Sequence, residues 1–255
     1  MNTASLLRTK FRAAGWVRAP CASSPATLDF LRHQREKLTT GETRPRPWHY
    51  HAMHNPWSPT AILFDSWGLL DVCQSAPLLD AVVELLGLDL ILCDSHWLPD
   101  PSDDAFEEME WQSDATRLPV TPLVGLTALL VIAEEQDSPT RISYRSRQHQ
   151  RVGDPTTVEE TLKGGDIVLL DAHLHYRIQP DSVARPQAYA IRYFPATSTY
   201  NRDPTADVHR ALTRRYPLLN YARQPLWLVR GEDRANNDFV TGFGTRAGFW
   251  AQVGG

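Results

Sequence analysis

At 255 residues, with 42% hydrophobic and 22% charged residues, the chain can bury one sizeable core and has the composition of an ordinary globular domain. A formal net charge of −4 gives no general pull toward nucleic acid or an anionic membrane surface, so the expected partner is a small molecule. Three cysteines at unrelated spacings, Cys21, Cys73 and Cys93, exclude a disulfide framework and a metal finger and favour a reducing, cytoplasmic setting.

A short helical pattern through Leu6, Leu7 and Phe11 breaks at Gly15 and passes into a strand at Trp16-Val17-Arg18. Residues 26–38 place Leu28, Phe30, Leu31 and Leu38 between charges, an amphipathic helix capped by Ser24 or Thr27. Residues 39–59, with spaced prolines, three histidines and two tryptophans, read as a long functional loop. A further helix is expected over 77–86, stopped by Gly87. After it come short apolar runs of strand length at 88–93, 123–133, 141–144, 167–170 and 188–194, a spacing that suggests a sandwich or barrel. Residues 157–162 read as one or two helical turns before the tight turn Gly164-Gly165-Asp166, and 201–217 as a last helix. The segment 231–255 is a lid or a packing tail, and 1–255 form a single domain. No run approaches the roughly 20 apolar residues of a membrane span.

The chemistry concentrates late in the chain. A histidine closing the strand 165–175, followed by Arg185, is how a barrel presents a metal ligand beside a cation that can clamp a carboxylate. Upstream, Trp111-Gln112-Ser113-Asp114 puts a carboxylate at the end of another segment. An iron(II) oxygenase site needs two imidazoles and one carboxylate on one face of the metal.

These pieces resemble the phytanoyl-CoA dioxygenase family of iron(II) and 2-oxoglutarate-dependent oxygenases. Phe11-Arg12-Ala13-Ala14-Gly15-Trp16-Val17 is similar to the family's opening, Trp111-Gln112-Ser113-Asp114 stands in place of a Trp-His-x-Asp motif, and Gly165-Asp166 through His175 is similar to its Gly-Asp strand ending in histidine. The resemblance implies a mainly β protein with flanking helices (α+β), built on a double-stranded β-helix, or jelly-roll, cupin-like barrel. It implies Asp114 and His175 as iron ligands, Arg185 as the clamp on 2-oxoglutarate, and oxidation of a small-molecule substrate. Gln112 departs from the pattern. Four readings stay open: Gln112 itself ligates, His96 substitutes for it, Asp114 and His175 hold the metal with water, or the site has lost iron. In that last case the chain is a ligand-binding protein or partner subunit; a metal-dependent isomerase or hydrolase is a further alternative. His51, His54, Asn55 and Trp57 of the loop, with His96, are candidate substrate contacts. Trp67, Trp97, Trp111, Phe239, Phe243, Phe249 and Trp250 form a pocket wall or simply core. The acid-rich stretch 100–110 reads as a solvated loop.

Overall fold

The computed structural model describes residues 3–38, 46–98, 111–134, 140–145, 157–179 and 187–239. Four helices precede most of the sheet: α1 (Thr3–Ala14), α2 (Pro25–Glu36), α3 (Ser66–Cys73) and α4 (Ala76–Leu86); α5 (Asp207–Arg215) follows it. Ser24 caps α2 by accepting from the Thr27 N–H, and Gly87, at φ 102°, ends α4 in a conformation few other residues tolerate.

The strands are β1 (Trp16–Arg18), β2 (Leu90–Leu98), β3 (Val120–Thr121), β4 (Leu126–Val131), β5 (Thr140–Arg145), β6 (Thr157–Leu162), β7 (Ile167–Asp171), β8 (Tyr176–Gln179), β9 (Ala188–Pro195), β10 (Thr199–Tyr200) and β11 (Trp227–Arg230). Six form an antiparallel sheet in the order β1-β7-β4-β9-β2-β11, three form a second sheet, β6-β5-β8, and β10 pairs with β3. Residues 157–162 are thus a strand where a helical turn was expected. Their alternation Thr157, Val158, Glu159, Glu160, Thr161 exposes every second residue, and cross-strand pairing with 140–145 decides the outcome over local helix preference.

Period-2 alternation divides the large sheet into two faces. Leu126, Ala128, Leu130, Leu169, Tyr189, Ile191 and Tyr193 pack against Leu31, Leu69, Leu78 and Val82 of the helices. On the opposite face Leu129, Val131, Val168, Leu170, Ala188 and Ala190 meet Ile142, Tyr144 and Tyr176 of the small sheet, forming the interior between the sheets. Each fully buried aliphatic side chain contributes about 1.5–3 kcal/mol relative to exposure.

One irregularity in β2 decides where the polar residues point. Leu90 and Leu92 face the helices, but the pairing of β2 with β9 shifts between Leu92 and Asp94. An extra residue inverts the parity of everything after it, so Ser95 and Trp97 now face the helices while Asp94, His96 and Leu98 face the interior.

Candidate functional site

At the polar end of the interior, β9 contributes Arg192, flanked directly by Asp94 on β2 and Thr127 on β4. All three are buried. Arg192 Nη1 donates to Asp94 Oδ2 at 2.6 Å and Nε donates to Asp114 Oδ1 at 2.9 Å, with Nη2 forming an ion-pair contact to the same Asp114 oxygen at 2.7 Å. The second oxygen of Asp114 accepts from the Thr127 hydroxyl at 2.6 Å. Nη2 also lies 3.2 Å from His96 Nε2. Since a guanidinium has no acceptor, His96 Nε2 carries the lone pair in this arrangement and its proton sits on Nδ1.

The electrostatics follow the burial. Burial opposes the Arg192 charge, but Asp114 and Asp94 outweigh it and raise its pKa above the ordinary value. Asp94 is raised by burial despite Arg192, and His96 is held well below its usual value by burial and then by Arg192, leaving it neutral. His51 and then Arg117 add further, smaller influences in the same direction on His96.

Asp114 sits on a short 3-10 turn, Asp114–Thr116, at the end of a segment that docks on β8. Gln112 and Tyr176 exchange both backbone hydrogen bonds, at 2.8 and 2.9 Å, and Ala115 N–H donates to Ala172 C=O. That docking decides which side chain lies beside Asp114. His175 is exposed, and its carbonyl accepts from the Arg145 N–H; the next residue, Tyr176, points inward with its phenol beside Asp114. The turn at 172–175 resets the alternation, so the side chain delivered to Asp114 is a phenol and not an imidazole. Gln112 is half-buried in the adjoining segment. Arg185 lies outside the described residues.

Gln112, Asp114 and His175 therefore do not fit an iron ion. Both Asp114 oxygens are taken, one of them by a fixed cation, and His175 faces away. A different set is gathered nearby: His51, Asp94 and His96 are buried and offer donor atoms within 4.8 Å of one another, and they are the residues that could hold a metal. His51 pairs with His96 as an isolated bridge, their rings stacked at 5.2 Å, and Tyr221 Oη lies 3.3 Å from His51 Nδ1.

The loop histidines divide between the two faces of the sheet. His51 stands in the interior beside His96, whereas His54 lies behind β2, where its Nδ1 and backbone N–H meet Ser95 Oγ at 2.8 and 3.0 Å and Tyr189 Oη donates to the same oxygen at 2.8 Å. Asn55 is buried, with its Oδ1 accepting from the Trp57 N–H, and Trp57 is 46% exposed on a surface cluster with Trp67 and Trp227. Trp97 is core, Trp111 stacks under Arg145, and Phe239 packs on a satellite core; Phe243, Phe249, Trp250, residues 39–45 and the acid-rich stretch 100–110 lie outside the described residues. Sequence reasoning missed Asp94, Thr127, Tyr176 and Arg192. The signal for two of them was present as charged residues inside otherwise apolar strands, Leu-Cys-Asp-Ser-His and Ala-Ile-Arg-Tyr, which is costly unless they pair.

No family model and no curated protein matches the chain. Solved structures do. A non-heme monooxygenase, ThoJ, in a nickel complex is 18% identical with a TM-score of 0.60, covering 90% of this chain and 85% of that one. CytC3 with Fe(II) and alpha-ketoglutarate is 15% identical with a TM-score of 0.60, covering 94% and 93%. The epimerase SnoN, in complex with Fe3+, alpha ketoglutarate and nogalamycin RO, is 15% identical with a TM-score of 0.56, covering 77% and 85%. The chain is similar to these non-heme proteins in fold: mainly β, antiparallel, with a few helices. Among the described residues no helix is long and apolar enough to cross a membrane.

Proposed function

We propose that this chain is a small-molecule protein on the non-heme oxygenase scaffold that does not carry out iron(II)/2-oxoglutarate oxidation through Gln112, Asp114 and His175. One observation carries the reading: Arg192, 2% exposed, is locked between Asp94 and Asp114. A permanent cation thus stands against the carboxylate that iron would need. The same pairing leaves Arg192 unsuited to clamp a co-substrate carboxylate. Support for a small ligand comes from the proteins of similar fold, of which CytC3 is described with alpha-ketoglutarate and SnoN with alpha ketoglutarate and nogalamycin RO.

The test is turnover of 2-oxoglutarate by the iron-loaded full-length chain in air. No succinate above a no-protein control is expected. Succinate formation that disappears in both Asp114→Ala and His175→Ala would overturn the reading. A second reading, a metal-dependent protein of non-redox type such as an isomerase or hydrolase, is favoured by the cluster of His51, Asp94 and His96.

A further inference from the structure

The polar end of the interior holds two buried donor atoms that Arg192 does not use. Asp94 Oδ1 and His96 Nδ1 have no hydrogen-bond partner among the described residues, although both residues are at least 98% buried. Leaving such atoms without a partner is costly, and both belong to the same three-residue cluster. We propose that His51, Asp94 and His96 bind a first-row divalent transition-metal ion, displaced from the ligand positions that the sequence suggests and held beside the Arg192 network.

Two imidazoles and one carboxylate are the donor set that suits zinc, nickel, cobalt or iron(II), rather than magnesium or calcium. The surroundings supply outer contacts for two of the three ligands. Asp94 can ligate through Oδ1 while Oδ2 keeps its 2.6 Å bond from Arg192, and His51 can ligate through Nε2 with Nδ1 directed at Tyr221 Oη. Donor atoms now within 4.8 Å must close to about 3 Å around an ion with metal–nitrogen bonds of about 2.0–2.1 Å, so the stacked rings of His51 and His96 must rotate. His96 binds through Nδ1 only as its other tautomer, with the proton on Nε2. That change ends the contact with Arg192 Nη2 and leaves Arg192 on its two carboxylates. The site rests on the polar end of the interior being the working one, as proposed above, but not on the absence of 2-oxoglutarate turnover.

The test uses the EDTA-treated full-length chain titrated with zinc(II), and with cobalt(II) for its visible absorption, followed by desalting and metal analysis. One ion per chain is expected, with the cobalt spectrum of a nitrogen- and oxygen-ligated site. His51→Gln and Asp94→Asn should each weaken binding by more than 100-fold, and Tyr221→Phe by about 10-fold, as loss of an outer partner does. The double variant His173→Ala/His175→Ala, which removes two exposed histidines, should bind as wild type. Circular dichroism of each variant separates lost binding from lost folding. No retained ion in wild type, or binding that survives His51→Gln and Asp94→Asn in folded protein, overturns the site. Either result leaves the succinate assay untouched, so the two readings fail separately.

Discussion

Replacing Arg192 by methionine keeps most of the side-chain volume and removes the guanidinium from between Asp94 and Asp114. The variant leaves two buried carboxylates, 2% and 3% exposed, without the donor that now reaches them at 2.6 and 2.7 Å. Breaking a buried ion pair on one side costs about 3–5 kcal/mol, because the remaining charge must be held dry or take up a proton. For a chain of this length each kcal/mol lowers Tm by about 2–4 °C, so a fall of about 6–20 °C is expected. The gap between variant and wild type should narrow on going from pH 7 to pH 5, since protonating the stranded carboxylates becomes easier. Adding Asp94→Asn and Asp114→Asn to the variant should restore part of the loss. Urea unfolding at both pH values, with thermal melts, provides the comparison. A loss below about 1 kcal/mol, or one that the asparagine changes deepen, would refute the view that Arg192 is the central buried cation.

Burial holds His54 down to about 3, far below its ordinary 6.5. A histidine depressed in the folded state stabilises fully above its unfolded pKa and loses that contribution as pH falls, by about 2 kcal/mol between pH 6.5 and pH 5. His54→Asn should therefore flatten the decline of stability over that window, and an unchanged slope would exclude His54 as its source. Gly164→Ala places a Cβ 2.1 Å from the Ala133 carbonyl oxygen, so a loss of about 1–3 kcal/mol is expected, and a neutral variant would show that this turn yields. Among the cysteines Cys21 is half-buried, while Cys73 and Cys93 are buried and burial pushes the Cys73 thiol up to about 12. One thiol per native chain should react with Ellman's reagent and three after unfolding; three fast thiols in the native protein would contradict the packing.

Much of the scaffold was legible in local pattern. Gly87 ends a helix at 86, Ser24 caps another, Gly164-Gly165 turns the chain into β7, and the alternation of Tyr189, Ile191 and Tyr193 marks the face of β9 that meets the helices. The polar centre was much less legible, for reasons that lie in register. Asp94 and His96 reach the interior because β2 shifts register just before Asp94, and a shift of one residue leaves no mark in composition. His175 and Tyr176 exchange roles because a turn interrupts the alternation between β7 and β8. Ion pairing across nearly 100 residues, between Asp94 and Arg192, is a product of strand order alone. The loop histidines shared one motif but separate in space, since Met53 N–H pairs with Ser95 C=O and directs His51 and His54 to opposite sides of β2.

The central claim is that Arg192, and not an iron held by Gln112, Asp114 and His175, occupies the polar end of the interior between the two sheets. Anaerobic titration of the chain with iron(II) and then 2-oxoglutarate, monitored in the visible range, tests it most directly. No metal-to-ligand charge-transfer band that depends on Asp114 and His175 is expected in wild type, nor after Gln112→His, because Asp114 stays bound to Arg192 and His175 stays exposed; any band from iron at His51, Asp94 and His96 should survive Asp114→Ala and His175→Ala. A band in wild type that is lost in Asp114→Ala and in His175→Ala would contradict it.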